Sequence, residues 1–117
     1  MAAPYVPDYG DIVWLDFTPQ SGHEQAGRRP AVVLSPKAYN TKSGLLVCVP
    51  ITNQIKGYPF EVMLSGQGAT GAALADQVKS LDWQTRQAER KGRATPGEIS
   101  EIRAKISALL MLNSPMP

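Results

Sequence analysis

The stretch HEQAGRRPAVVLSP (23–36) sets the chain's one histidine, a glutamate and two adjacent arginines directly ahead of an apolar run. A guanidinium offers a planar fork of donors that matches phosphate oxygens, so an arginine held at the head of a rigid segment suits an anionic transition state. Pro30 stiffens the backbone behind Arg29. Thr52, Lys56 and Lys79 follow as a hydroxyl and two cations. With His23, Glu24, Arg28 and Arg29 they make a set able to work on a phosphate without metal or organic cofactor. The plainer reading makes Arg28 and Arg29 surface charges, or ion partners of Glu24. Tyr58 and Trp83, beside Lys56 and Arg86, have faces on which bases could stack but could equally be core aromatics, and for Trp14 and Trp83 the core is the better reading.

Other chemistries lack their residues. One histidine and one cysteine cannot build a tetrahedral nitrogen and sulfur site. The carboxylates follow no calcium-loop spacing. Neither a phosphate-binding Walker loop nor a dinucleotide glycine pattern is present. A serine triad would need His23 as its base, and no serine motif accompanies it. No metal and no cofactor are expected. Cys48, alone inside GLLVCVPI, reads as a small core residue rather than half of a disulfide,. Twelve Lys and Arg against ten acids give a net charge of +2, which permits an anionic partner without demanding one. MAAPYVPDYGD has neither the basic start nor the apolar centre of a signal peptide. No window reaches the roughly 18 apolar residues of a membrane span, so a cytoplasmic setting is expected.

Elements must position these groups. A chain of 117 residues suits one domain,, taken as 1–117 with 113–117 a frayed tail. Ten prolines and ten glycines favour short strands and turns over a bundle. YGDIVWLDFTP (9–19) carries bulky groups on both alternating faces and reads as a strand buried on both sides. TPQSGHEQAGRRP (18–30) reads as a loop and AVVLS (31–35) as the next strand. PKAYNTKSG (36–44) is bounded by a proline start and a glycine stop, a short helical turn. LLVCVPIT (45–52) is a strand, ended or bulged at Pro50, and FEVML (60–64) another. AALADQVKSLD (72–82) is taken as two short strand pieces despite its helix propensity, and QAERKGRA (87–94) as an exposed strand or hairpin. TPGE (95–98) is a capping box with a proline start. Ile99, Ile102, Ile106, Leu109 and Leu110 then recur at helical spacing, giving an amphipathic helix over 96–112 lying on the sheet. The expected fold is mainly β, a small curved antiparallel sheet with a C-terminal helix.

Three blocks in order, YVPDYGDIVWLDFTPQSGHEQAGRRPAVVLSP, CVPITNQIKGYPFEV and GAALADQVKSLDW, resemble the MazF/PemK toxin family of toxin–antitoxin systems, on the MazF branch. The resemblance runs from Tyr5 to Leu110. It implies an SH3-like barrel of the MazF/PemK/CcdB type and a homodimer. It also implies an endoribonuclease that cuts single-stranded messenger RNA at specific sequences without a metal, leaving a 2′,3′-cyclic phosphate and a 5′-hydroxyl. A MazE-like antitoxin would be the protein partner. By the same resemblance Arg29 and Thr52 are catalytic, and Glu24 contributes to RNA contact and activity. Phe17, Arg28, Gln54, Lys56, Asp76, Gln77 and Lys79 are expected to contact RNA. His23 and Arg28 depart from the family pattern, and QAERKGRATPGEIS matches it loosely. The segment 18–27 would be a flap over the RNA groove. Two alternatives share the barrel: a CcdB-like toxin that poisons DNA gyrase by protein contact, and a module that binds RNA or antitoxin without catalysis.

Overall fold

The computed structural model describes residues 4–17, 27–65 and 70–114. Among them the chain forms β1 (Asp11–Phe17), β2 (Gly27–Val33), α1 (Lys37–Ser43), β3 (Leu45–Thr52), β4 (Glu61–Leu64), β5 (Gly71–Leu74), β6 (Lys79–Asp82), β7 (Glu89–Arg93) and α2 (Pro96–Leu109), with a 3-10 turn at Ala75–Gln77. All pairings are antiparallel. The order across the sheet is β4-β5-β3-β2-β1-β7, and β6 joins β3 beside that path.

β3 organises the sheet. Leu45–Cys48 pairs with β6, whereas Ile51 and Thr52 pair with β5. The changeover falls at Val49–Pro50. Pro50 therefore does not end the strand: it stays in register opposite Ala31 on β2, and its missing donor coincides with the gap between the β6 and β5 ladders. β2 also differs from expectation, because it starts at Gly27 rather than at residue 31. β1 pairs it continuously from Phe17↔Gly27 to Ile12↔Val32. Arg28 and Arg29 are strand residues, not loop residues.

Alternation along the strands builds two cores. Ile12, Val32, Val49, Ile51 and Val62 pack on one side with Ile99 and Ile102 of α2. Val13, Leu15, Phe17, Ala31, Val33, Leu46 and Cys48 pack on the other with Trp83. This explains the bulky residues on both faces of β1. Trp83 is nearly buried, and its Nε1 donates to the Asn40 carbonyl of α1 at 2.9 Å. Trp14 departs from the core reading: it is half-buried, with the Lys91 ammonium 5.2 Å from its ring centre.

The short helix α1 stops at Gly44, whose φ of 72° is easily reached without a Cβ,. The capping box of α2 forms as expected: Glu98 N–H donates to Thr95 Oγ1 at 3.1 Å, and Thr95 N–H donates to Glu98 Oε1 at 2.9 Å. Glu98 Oε2 also accepts from Ser65 N–H at 2.6 Å, tying the end of β4 to the helix start. Burial alone would push this carboxyl up, but the hydrogen bonds from Ser65 and Thr95 outweigh it and hold the pKa below its ordinary value,. The apolar stripe of α2 is shorter than its sequence suggests. Ile99 and Ile102 are buried and Ile106 half-buried, yet Leu109 and Leu110 are 42% and 55% exposed. α2 packs against β4 and the 3-10 turn, and its last turn carries exposed apolar side chains.

Candidate active site

The β2–β3 ladder pairs Val33↔Cys48, Val32↔Val49 and Ala31↔Pro50. The ladder ends there; continued two residues further, the same register would set Arg29 across from Thr52, the last residue of β3. Alternation gives both the same face. Ala31, Val33, Leu46 and Cys48 all belong to the Trp83 core, and Arg29 and Thr52 continue their two rows to the edge of that core. Thr52 is held from its other side too, where it pairs with Ala72 of β5. Next along β5, Gly71 has φ of 110°, and a Cβ there would collide with the Thr52 carbonyl. The close approach requires glycine.

Phe17 and Lys79 share this face. Lys79 lies opposite Cys48 on β6, and its ammonium stands 5.5 Å from the centre of the Phe17 ring, within cation–π range. The Cys48 thiol itself is buried, and burial pushes its pKa up to about 12. It stays protonated and inert at neutral pH.

Arg28 belongs elsewhere. It pairs with Asp16 across the β1–β2 ladder, on the face opposite Arg29. Its Nη1 donates to Asp16 Oδ1 at 3.0 Å, and its Nη2 donates to the Gln87 carbonyl at 2.6 Å and lies 3.4 Å from Glu89 Oε1. The two adjacent arginines thus serve different surroundings. Arg28 ties β2 to the turn before β7, and Arg29 leaves β2 on the other face, opposite Leu15 of β1.

Beyond Thr52 the chain leaves the ladder, and a cavity of about 270 Å3 opens. Thr52, Gln54, Lys56, Asp76 and Gln77 all line it, with Tyr58, Phe60, Glu61 and Leu74. Five expected site residues converge there from two distant segments. Thr52 Oγ1 accepts the Gln54 N–H at 3.0 Å, which turns the chain out of β3 and fixes the hydroxyl. A hydroxyl that accepts in this way keeps its proton for donation. Opposite, Ala75 N–H donates to the Phe60 carbonyl at 3.0 Å, joining the 3-10 turn to the loop 54–60. The Lys56 ammonium lies 5.8 Å from the centre of the Tyr58 ring, itself 61% exposed.

One organising residue escapes the sequence reading. Glu61 Oε1 accepts from Gly57 N–H at 2.7 Å, from Tyr58 N–H at 3.2 Å and from Lys56 N–H at 3.3 Å. Its signal was a glycine–proline turn followed at once by a carboxylate, GYPFE (57–61). His23 and Glu24, with the expected flap over 18–27 up to residue 26, lie outside the described residues. Among the described residues, no three His, Cys, Asp or Glu side chains gather as a metal site, and no helix is long and apolar enough to cross a membrane.

Residues 8–110 match the family described as PemK-like, MazF-like toxin of type II toxin-antitoxin system. The chain is 59% identical over 110 residues to the endoribonuclease toxin MazF of Escherichia coli strain K12, covering 94% of this chain and 99% of that one. It is 33% identical over 106 residues to the endoribonuclease PemK of Escherichia coli, covering 86% of this chain and 80% of that protein. Its fold superposes on the crystal structure of MazF from Deinococcus radiodurans with a TM-score of 0.86 at 53% identity, over 92% of this chain and 99% of that one. A MazE-MazF crystal structure from the same organism gives 0.86 and 53%, over 93% and 99%.

Proposed function

The chain belongs to the PemK-like, MazF-like toxin family of type II toxin–antitoxin systems, and from that premise we propose how its residues cut RNA. It is an endoribonuclease toxin, and its protein partner is a MazE-like antitoxin. The curved, mainly β sheet with its C-terminal helix is the fold of the MazF structures.

In our reading the substrate is single-stranded messenger RNA, cut at a specific sequence. The 2′-hydroxyl of the ribose at the cut attacks the adjacent phosphorus. The phosphorus–oxygen bond to the next nucleotide breaks, and that 5′-oxygen leaves with a proton. The products are a 2′,3′-cyclic phosphate and a 5′-hydroxyl. The nucleophile is tethered to its electrophile, so alignment supplies much of the acceleration. Arg29 stabilises the charge that grows on the phosphorane oxygens, and Thr52 donates its proton to one of them. Preorganised donors of this kind are worth roughly 3 to 4 kcal/mol each in lowering a barrier. Glu24 either accepts the 2′-hydroxyl proton or reads a base. Gln54, Asp76 and Gln77 read unpaired base edges in the cavity. Phe17, Lys56 and Lys79 supply stacking surface and charge beside it, and Arg28 adds positive potential from the opposite face of β2. The whole of 1–117 acts as one domain, a homodimer working in the cytoplasm.

The observation that supports this reading is the convergence of Gln54, Lys56, Asp76 and Gln77 on one cavity bordered by Thr52, at the end of the strand that pairs with β2. The test is an RNA oligonucleotide in which the ribose 5′ to the cut is replaced by deoxyribose. It should bind and resist cleavage, while the all-ribose strand yields a cyclic phosphate at a rate that EDTA leaves unchanged. Cleavage of the substituted strand, or arrest by EDTA, would point to a metal-activated water instead. Trapped DNA breaks on incubation with gyrase, with RNA left intact, would favour the CcdB-like alternative.

A further inference from the structure

The loop 54–60 forms one wall of the cavity that faces Asp76 and Gln77, yet it belongs to no strand or helix. Its shape has to come from elsewhere. Lys56, Gly57 and Tyr58 point three successive backbone N–H groups toward a single acceptor, the Glu61 carboxylate, at 2.7 to 3.3 Å. Successive amides converging on an anion make a concave nest. Here Gly57, with φ of 78°, supplies the left-handed residue that the curve needs. Outside the nest, Lys105 of α2 donates to the Pro59 carbonyl. Glu61 itself is fixed as the first residue of β4, opposite Leu74 of β5.

From this arrangement we infer that Glu61 is a positioning residue for nucleotide selectivity. Its carboxylate holds the loop so that the Gln54, Lys56 and Tyr58 side of the cavity keeps one spacing from Asp76 and Gln77. This rests on the reading of the cavity as an RNA site. Three charge-assisted bonds from one side chain replace a strand ladder. Without them the loop keeps the Thr52–Gln54 turn at its start, the backbone bond from Glu61 N–H to the Tyr58 carbonyl, and the bonds at Pro59 and Phe60 near its end, none of which holds the amides of Lys56, Gly57 and Tyr58. A wall displaced by about 1 Å is enough to cost a factor of about a hundred in a well-aligned site. A loosened loop would spread that loss unevenly, because the preferred base relies on the fixed spacing and the wrong bases never used it.

The test measures selectivity rather than rate. Mapping the 5′ ends of RNA cut by the wild-type protein gives the preferred sequence. The kcat/KM on that sequence is then divided by the kcat/KM on oligonucleotides changed at one base at a time. The ratio does not depend on the fraction of active enzyme, so lost folding stability cannot move it. For Glu61→Ala the ratio should fall about tenfold or more at one or more positions, with the best-substrate kcat reduced less than the ratio. Glu61→Gln keeps an acceptor at Oε1 and should fall by less. Glu61→Asp, one methylene short, should resemble Glu61→Ala. The Lys56, Gly57 and Tyr58 amides should exchange hydrogen faster in the alanine variant. Where Glu61→Ala does not fold or does not cut, Glu61→Gln gives the kcat/KM ratio, and the ratio of Kd values for uncleavable deoxy-substituted strands, set against that of the wild-type protein, reads the binding part of the same selectivity. Unchanged ratios in folded variants overturn the inference. Failure of the wild-type protein to cut RNA would overturn the nuclease reading itself, a result that the control reaction separates from this one.

Discussion

The corner around Arg29 and Thr52 and the cavity beside it are neighbours built by different means. Thr52 sits in a strand paired on one side with β5, Arg29 in a strand paired with β1, and their two strands pair with each other. Backbone hydrogen bonds over a packed core fix that corner, and no single side chain decides its shape. The cavity wall 54–60 has no ladder and is held by side-chain bonds at a few points. Chemistry at phosphorus needs donors in one place whatever the sequence being cut. Base reading suits a wall that a few substitutions could reshape. In the proposed function, the sheet would serve the first demand and the clamped loop the second.

The largest expected effect would sharpen that contrast at its rigid end. Arg29→Ala should leave the fold intact and lower cleavage by about 10²- to 10³-fold, the usual loss on removing one transition-state donor. Arg29→Lys should not rescue it, because a point charge cannot reproduce the guanidinium fork. Single-turnover rates on one oligonucleotide measure both, and near-wild-type cleavage by folded Arg29→Ala would break the assignment. Thr52→Val comes next. It keeps the shape but removes both the phosphate donor and the acceptor that holds Gln54 N–H. A loss of about tenfold or more is expected, with Thr52→Ser restoring most of it.

A smaller effect tests the helix seat behind the loop. Glu98 holds its proton less tightly in the folded state than in an unfolded chain, despite its burial, because Ser65 and Thr95 donate to it. Its contribution to stability is therefore complete above the ordinary glutamate value of 4.5 and drains away as pH falls through the lower folded value. Thermal melts should show stability falling in that acid window, and Glu98→Gln should flatten the fall while lowering stability at neutral pH. An equal acid slope in both proteins would remove Glu98 as its source.

Much of this was legible in the chain because local signals and tertiary needs agreed. The capping box at Thr95–Glu98 and the stop at Gly44 follow from residue chemistry within a few positions, whereas the two strand pieces either side of Ala75–Gln77 had to be read from the surrounding strands against local helix propensity. Misread places are those where distant partners decide. Gly27–Arg29 look like loop, and pairing with β1 makes them strand. Pro50 looks like a strand end, and the split between β5 and β6 absorbs it. Leu109 and Leu110 have helical spacing but run past the surface that would bury them. For the site, Arg29 and Thr52 stood out by their chemistry and, with Gln54, Asp76 and Gln77, by likeness to a family, and the structure brings Thr52, Gln54, Asp76 and Gln77 together around one cavity. Glu61 was missed because a carboxylate on a strand looks like a solvated charge until the amides it holds are seen.

The smallest effect separates the two adjacent arginines. Arg28 and Arg29 are indistinguishable by composition, and a cluster of cations would treat them alike. In the sheet they leave β2 on opposite faces, and Arg28 is committed to Asp16, Glu89 and the Gln87 carbonyl. Its side chain is about one-third exposed, so solvent and salt weaken those pairs. Exposed ion pairs are worth no more than about 1 kcal/mol. Arg28→Ala should therefore lower stability by that amount or less, and lower cleavage by no more than about fivefold. The residual effect on cleavage should come through RNA binding at a distance. It should be largest at low salt and shrink as ionic strength rises, whereas the loss in Arg29→Ala should persist at every salt concentration. Cleavage rates for both variants across a salt series decide the matter. A salt-independent loss in Arg28→Ala as deep as that of Arg29→Ala would mean that both arginines meet the phosphate, and that the two faces of β2 are not divided between structure and chemistry.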